Sequence, residues 1–557
     1  VGDIVVIVRE KARPNVYIEN AVVRLAKSSG QPQAKMEDNT YRLQSCPAGD
    51  KLTAWAPSYF IAVQKCDENS GKMEYVFELE KYTIGDEARF WFPSNECLPC
   101  HNRTINDFTG REHNEFSEWQ KDGHSTVLRD GYLRDIYRGN PGALDHYAAV
   151  GFRTDYPNDN GNCGYCHAPS AVIGSEQEVN MLPLFDTYQA PAAEGINCDV
   201  CHKVVGVNLS AVDGLPFRER PGILSYDLLQ PDPQNPRLYV GSYVNANLKE
   251  GVHTVSCNPI FSQSEFCAPC HYAKFWDVEV YASYKEWLDS AYADPASGVY
   301  RTCQDCHMRP KDWDPSSLPP GQDTCNGIID GSWPSTHNML GRDDNNLPSM
   351  IFEAASVKVE AGYDQKHGRI QVNVTVTNDK VGHKFPTDSP LRHLILVVEA
   401  IDEKNNTLPQ LFGEDDDNKE GKKNRESRQN GETIPDWIGE WWNPFENHAG
   451  SPGRVYAFVL IDEKSGTFPS AAYWNRTKPA SLEADTRLLP KTYNSDKGEV
   501  EAHPDRSVYY FAAPAQSEVT VTATLWYRYA FKELAEQKNW PTADILVAQN
   551  SDKVNTP

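Results

Sequence analysis

The sequence predicts a multidomain chain in which a loop-rich, sparsely helical core is flanked by two β-sandwich domains. Three observations predict it. Five C-x-x-C-H pentads fall between Cys97 and His307, and none lies outside that stretch of the 557 residues. Period-two alternation of apolar and polar residues, the mark of half-buried strands, is concentrated before and after the pentads. Around the pentads themselves Pro, Gly, Asn and Asp are dense, which leaves little room for long regular elements. The boundaries read as 1–88, 89–347 and 348–557.

In chain order, the first segment offers short strands at Ile4–Val8, Ala21–Leu25, Lys51–Trp55 and Tyr75–Leu79, separated by turn-forming residues, the pattern of a small β-sandwich. The middle segment offers only a few helices, such as Glu112–Asp122 and Glu279–Tyr292. The last segment returns to strands: Ile370–Val376 alternates, Leu394–Ile401 is a buried apolar run, and Val519–Tyr527 alternates again. A second β-sandwich is expected there, closed by a helical stretch at Ala530–Lys538. Gly413–Gly431, rich in Asp, Glu, Lys, Arg and Asn, reads as a solvated loop, with calcium binding there or at Asp343-Asp344 as the other reading.

The pentads are Cys97–Cys100–His101, Cys163–Cys166–His167, Cys198–Cys201–His202, Cys267–Cys270–His271 and Cys303–Cys306–His307. Two thiols three residues apart can add to the two vinyl groups of one haem, and the following histidine then meets the iron from the same side. Zinc knuckles would not place a histidine after every second cysteine, and a dithiol redox motif would not recur five times. Five covalent haem c groups are therefore expected, with the haems forming much of the middle core. Ten of the 14 cysteines are used this way. Haem attachment takes place outside the cytoplasmic membrane, where disulfides persist. Cys46 and Cys66 pair within the first β-module, and Cys257 with Cys325 follows by elimination, although four cysteines allow three connectivities.

The 78 acidic and 54 basic residues give a net charge of -24, which repels nucleic acid and anionic lipid. No apolar run reaches the roughly 18 residues of a membrane span. The first residue is Val1, and a secreted chain numbered after a removed signal peptide is expected. The location reads as extracellular or cell-surface, with the periplasm as the alternative.

Ten histidines lie outside the pentads, and five irons each need one more ligand to be closed. Met308 follows a proximal histidine directly and cannot reach the other face of that haem, and Met181, Met339 and Met350 have no supporting context. Trp119-Gln-Lys-Asp-Gly-His124-Ser resembles the W-x-x-S-x-H helix of multihaem c-type cytochromes, a family that includes outer-surface and filament-forming extracellular cytochromes. Tyr284-Lys-Glu-Trp287 with Cys303-Gln-Asp-Cys306-His307-Met308 is similar to their Y-x-E-W-x-x-S and C-Q-D-C-H-M segments, and Val381-Gly-His383-Lys-Phe-Pro-Thr387 to their G-H-x-F-P-T loop. The resemblance spans roughly residues 90–400 and implies distal ligands at His124, His253, His337 and His383. Tyr292 stands where a helix of the Trp119 type ends in His, so that helix supplies none. His146 and His113 compete for the last place, His146 ahead because His113 lies so close to His101. His367, His393, His448 and His503 read as surface or packing residues. Separately, the first module resembles carboxypeptidase regulatory-like, transthyretin-type domains in its "N-A-V-V-R-L" and "P-A-G-D-K-L-T-A-W-A-P-S-Y-F" runs.

Closed irons leave outer-sphere electron transfer as the available chemistry, so the expected function is an electron conduit without substrate turnover. Its partners would be other cytochromes or redox proteins, extracellular electron acceptors, or copies of itself in a haem filament. The rival is a reductase of nitrite, hydroxylamine or a sulfur oxyanion with one open haem, against which every motif here ends in His rather than Lys. Five N-x-S/T sequons, at Asn102, Asn208, Asn373, Asn405 and Asn475, need no explanation beyond chance in a polar chain.

Overall fold

The structure, a computed structural model, describes residues 4–25, 38–66, 74–85, 91–102, 104–105, 112–144, 146–172, 178–187, 190–230, 237–242, 253–308, 325, 335–343, 348–352, 354–411, 433–439, 448–481, 484–540 and 543–557. They form two compact units. The first comprises Val1–Asp130, Asn160–Cys270 and Arg301–Asn346, and the second Gly131–Asp159, His271–Tyr300 and Leu347–Pro557. These units cut across the three segments read from sequence, and the division passes between Cys270 and His271 of the fourth motif.

In the first unit, β1 (Ile4–Glu10), β2 (Val22–Leu25), β3 (Thr40–Leu43), β4 (Lys51–Trp55), β5 (Ala62–Lys65) and β6 (Glu74–Leu79) make two three-stranded sheets, β3-β1-β6 and β2-β4-β5. β1 runs antiparallel to β3 and parallel to β6, so Val6 sits between Tyr41 and Tyr75. The strict alternation of β1 turns Ile4, Val6 and Val8 onto one face, where they pack with Leu43, Leu52, Ala54, Phe77 and Leu79. Cys46 and Cys66 are disulfide-bonded with Cα atoms 5.5 Å apart. The sandwich is continuous with the chain that carries the haem motifs. Trp55, wholly buried, donates from Nε1 to Ser256 Oγ at 3.1 Å, and the Cys257–Cys325 disulfide packs in the same apolar cluster as Trp55, Ile61 and Val255.

Around the motifs the elements are short, as turn-rich sequence dictates. Four motifs form single-turn helices, Leu98–His101, Gly164–His167, Cys198–Cys201 and Cys303–His307, and the fourth is a turn. Local capping holds such small helices. Asn197 Oδ1 accepts from Val200 N at 2.9 Å, and Thr302 with Asp305 forms a capping box. Two expected helices are shorter than the sequence reading. Glu112–His113 is extended and the helix covers Glu115–Lys121, while Val278–Tyr281 is a strand paired with Ala273–Phe275 and the helix starts only at Ser283, running to Leu288. The β-branched alternation of Val278-Glu-Val280-Tyr281 outweighs helical continuity there.

In the second unit, strands Ala355–Asp364, Arg369–Asn378 and Asp505–Ala512 form one sheet. Gly453–Ala457, His393–Asp402, Glu518–Arg528 and Ile545–Asn555 form the other. The inward faces pack Val357, Val359, Ile370, Val372, Val374, Leu394, Leu396, Val519, Val521 and Leu525 into one core. The terminal helix spans Lys532–Gln537. The loop Gly413–Gly431 and Asp344, where calcium is the other reading, lie outside the described residues. Among the described residues no helix is long and apolar enough to cross a membrane.

Candidate haem-binding sites

A haem-ligating histidine must present a lone pair on one ring nitrogen, which is fixed by what the other nitrogen does. His202 Nδ1 lies 2.8 Å from Val240 O, and His307 Nδ1 lies 2.9 Å from Met339 O. A carbonyl only accepts, so in both rings Nδ1 carries the proton and Nε2 is left as the donor atom for a metal. Burial lowers the pKa of His202, keeping the ring neutral. His101 Nδ1 stands 3.6 Å from Glu115 Oε2. In the second unit His271 Nδ1 stands 3.6 Å from Asp388 Oδ2. His167 ends the helix Gly164–His167.

None of the ten motif cysteines is disulfide-bonded, while the other four form the two disulfides. The donor set for covalent haem is thus intact, and it is distributed so that motifs adjoin one another. The first and third meet where Phe92 N donates to Asp199 Oδ2 at 3.0 Å, and a Cys97–Cys198 hydrogen bond, followed by burial, raises the Cys97 pKa. The second and fourth meet across Gly222, whose N–H donates to Pro269 O at 3.0 Å. Its φ is +55°, and a Cβ there would stand 2.4 Å from Tyr165 O and 2.8 Å from Cys166 Sγ, so only glycine allows this approach. The fourth and fifth meet where Cys303 N donates to Ser264 Oγ at 2.9 Å and Gln304 Nε2 to Gln263 O at 2.7 Å. Third and fourth are joined through Phe261, stacked on His202 at 5.6 Å and 5.1 Å from Phe266 beside Cys267.

The candidate distal histidines can be placed one by one. His337 faces His202, with ring centroids 6.3 Å apart and planes inclined by 25°. Two imidazoles sharing one metal through facing nitrogens at about 2 Å each have centroids about 6 Å apart, so this pair has the spacing of a bis-histidine iron site. Glu118 Oε2 accepts from His337 N at 2.8 Å and fixes the loop. Burial, then the neighbouring His202, pushes the His337 pKa down to about 4, and its buried Nδ1 has no hydrogen-bond partner. His253 likewise has a buried Nδ1 without a partner. Burial lowers its pKa first, and His101 is the next largest influence. Burial lowers the pKa of both rings and so favours the neutral form that a metal-ligating imidazole takes.

His124 lies in the short helix Gly123–Thr126 with Asp122 as N-cap; its Nδ1 is 2.6 Å from Asp122 Oδ1. The segment docks beside the third motif. Trp119 Nε1 donates to Ile196 O at 2.9 Å, and Ile196 N to His124 O at 2.9 Å. His383 Nδ1 lies 2.9 Å from Lys384 O, again the tautomer that frees Nε2. In that unit Gly382 packs on the rings of Trp287 and Tyr292, where a Cβ would come within 3.5 Å of both. The side chains of His146, on the helix His146–Ala149, and His113, on the strand Glu112–His113, lie outside the described residues. His367 is exposed on Asp364, His503 Nε2 is 2.8 Å from Thr492 Oγ1, and His393 is sealed in the second unit, stacked on Phe531.

Sequence reasoning missed the groups behind the histidines: Asp122, Glu118, Asp388 and the carbonyls of Val240 and Met339. The D-x-H spacing of Asp122 and His124 was a usable signal. A carbonyl carries none.

Residues 240–318 match the NapC/NirT cytochrome c family, N-terminal region, a stretch that includes the fourth and fifth motifs. No curated protein matches the chain. Among solved structures, the penta-heme cytochrome c552 from Thermochromatium tepidum is similar at 20% identity, covering 83% of this chain and 98% of that one with a TM-score of 0.49. The five C-x-x-C-H motifs, together with the NapC/NirT match over residues 240–318, support the general class of multihaem c-type cytochromes, proteins of electron transfer.

Proposed function

We propose that the chain binds five haem c groups, each closed by a second histidine, and conducts electrons outside the cytoplasmic membrane without turning over a substrate. The observation that most directly supports this reading is the His202 and His337 pair, whose ring centroids lie 6.3 Å apart, the spacing of two imidazoles on one iron. When bound, each haem accepts and releases one electron. The protein's part is to hold ten thioether sulfurs, five proximal histidines, and distal histidines at His124, His253, His337, His383 and His146 in fixed geometry. Rigid ligation keeps rearrangement small when charge moves. Contacts of the first motif with the third, the second with the fourth, and the fourth with the third and fifth favour electron exchange between neighbouring sites.

The β-sandwiches carry no haem motif and serve to dock partners: other cytochromes, an extracellular acceptor, or further copies of the chain in a filament. Charge complementarity favours a basic partner for a chain of net charge -24. The test is the ferric spectrum of the holoprotein together with its reactivity. A wholly low-spin spectrum, rapid reduction of a ferric chelate or a second cytochrome, and negligible turnover of nitrite, hydroxylamine or sulfite are expected. A ferric high-spin haem with steady nitrite or hydroxylamine reduction would overturn the reading in favour of a reductase.

A further inference from the structure

Asp122 is almost wholly buried, 1% exposed, yet it satisfies three N–H groups at once. Its Oδ1 accepts from the His124 ring at 2.6 Å and from His124 N at 2.9 Å, and its Oδ2 accepts from Met339 N at 2.8 Å. The other side of the same residue, Met339 O, receives the His307 ring proton at 2.9 Å. One carboxylate therefore stands behind a distal-ligand candidate on one side and, through a single residue, behind a motif histidine on the other.

We propose that Asp122 is a positioning residue shared by two haem sites, orienting His124 directly and His307 through Met339, and that its charge lowers the reduction potential of the haem that His124 ligates. The proposal rests on the reading of His124 as a distal ligand. An N-cap alone would need only an oxygen, which Ser or Asn supplies as well. The short ring contact does more. A carboxylate on the far nitrogen makes an imidazole a stronger donor and favours the more positively charged ferric state. The Met339 contact needs the second oxygen of the same carboxylate, which Asn cannot offer because its amide nitrogen does not accept.

The test is potentiometric titration of the full holoprotein and its Asp122→Asn variant, followed optically and by electron paramagnetic resonance. The reduction equilibrium of one haem is expected to shift upward about tenfold, which is about 59 mV for one electron. The low-spin signals of the His124 and His307 haems change and the other three stay in place. Should Asp122→Asn give little holoprotein, Asp122→Ser, which keeps the cap, is expected to give the same upward shift, and Asp122→Glu to restore the potential. No shift, or an equal shift of all five haems, would overturn the proposal. His124→Ala, measured in parallel, separates the two claims. If it leaves every haem low-spin, the ligand reading fails; if it creates one high-spin haem while the Asp122 variants leave all potentials unmoved, this inference alone fails.

Discussion

Lys203 Nζ, directly after the third haem motif, donates to Asp199 Oδ2 inside it at 2.7 Å, with side chains only 2% and 3% exposed. The ammonium also lies 5.3 Å from the centre of the Trp91 ring, and the same carboxylate oxygen receives Phe92 N. A buried pair of this kind contributes little net energy, but breaking it strands a charge. Lys203→Met should therefore lower stability by about 3–5 kcal/mol, whereas Lys203→Met with Asp199→Asn should recover most of the loss. Urea midpoints of the three holoproteins check this. Equal losses in the single and double variants would show that the uncompensated charge is not the cause.

Replacing His337, His253 or His124 with Ala should each turn one low-spin haem high-spin while five covalent haems remain. Thioether attachment does not depend on the distal side. Intact mass after denaturation counts the haems, and the optical spectrum counts the open sites. A variant whose spectrum does not change removes that histidine from the ligand set.

The Cys257–Cys325 bridge closes a loop of 68 residues and anchors the chain after the fifth motif to the Trp55 cluster. Chain-entropy reasoning gives such a bridge about 4 kcal/mol. Cys257→Ala with Cys325→Ala should lower the thermal midpoint clearly more than Cys46→Ala with Cys66→Ala, which opens a separation of only 20. Calorimetry of the two double variants decides the order.

His393 is fully buried. Its Nδ1 donates to Leu391 O at 3.0 Å, Nε2 has no partner, and burial with nearby Arg528 pushes its pKa down to about 3. In the unfolded chain the ring titrates near 6.5, so between about pH 6.5 and 3 the unfolded state binds the extra proton. This group's contribution is present above that window and is lost as pH falls through it, at up to about 1.4 kcal/mol per pH unit. His393→Phe should flatten that slope, seen by comparing urea midpoints at pH 6.5 and 4.5. Parallel slopes in the two proteins would contradict a neutral His393.

The sequence by itself determined what depends on local covalent spacing and on pattern. C-x-x-C-H places thiols and imidazole within one turn, so the five motifs were legible without any fold. Alternation along Ile370–Val376 and Val519–Tyr527 fixed which strands face a core, because a one-residue slip would turn every side chain outward. Cys46–Cys66 was read from the β-module they share and Cys257–Cys325 by elimination, one of three connectivities the count allows, and both are bonded. Tertiary structure alone decided how the motifs adjoin, and that His337 faces His202. It also decided that the helix Glu115–Lys121 starts three residues later than its sequence suggested. The proton positions on His202 and His307 are set by Val240 O and Met339 O, main-chain atoms identical in every residue. A residue letter records what a side chain can do; which backbone carbonyl stands behind it is set only when distant segments pack together.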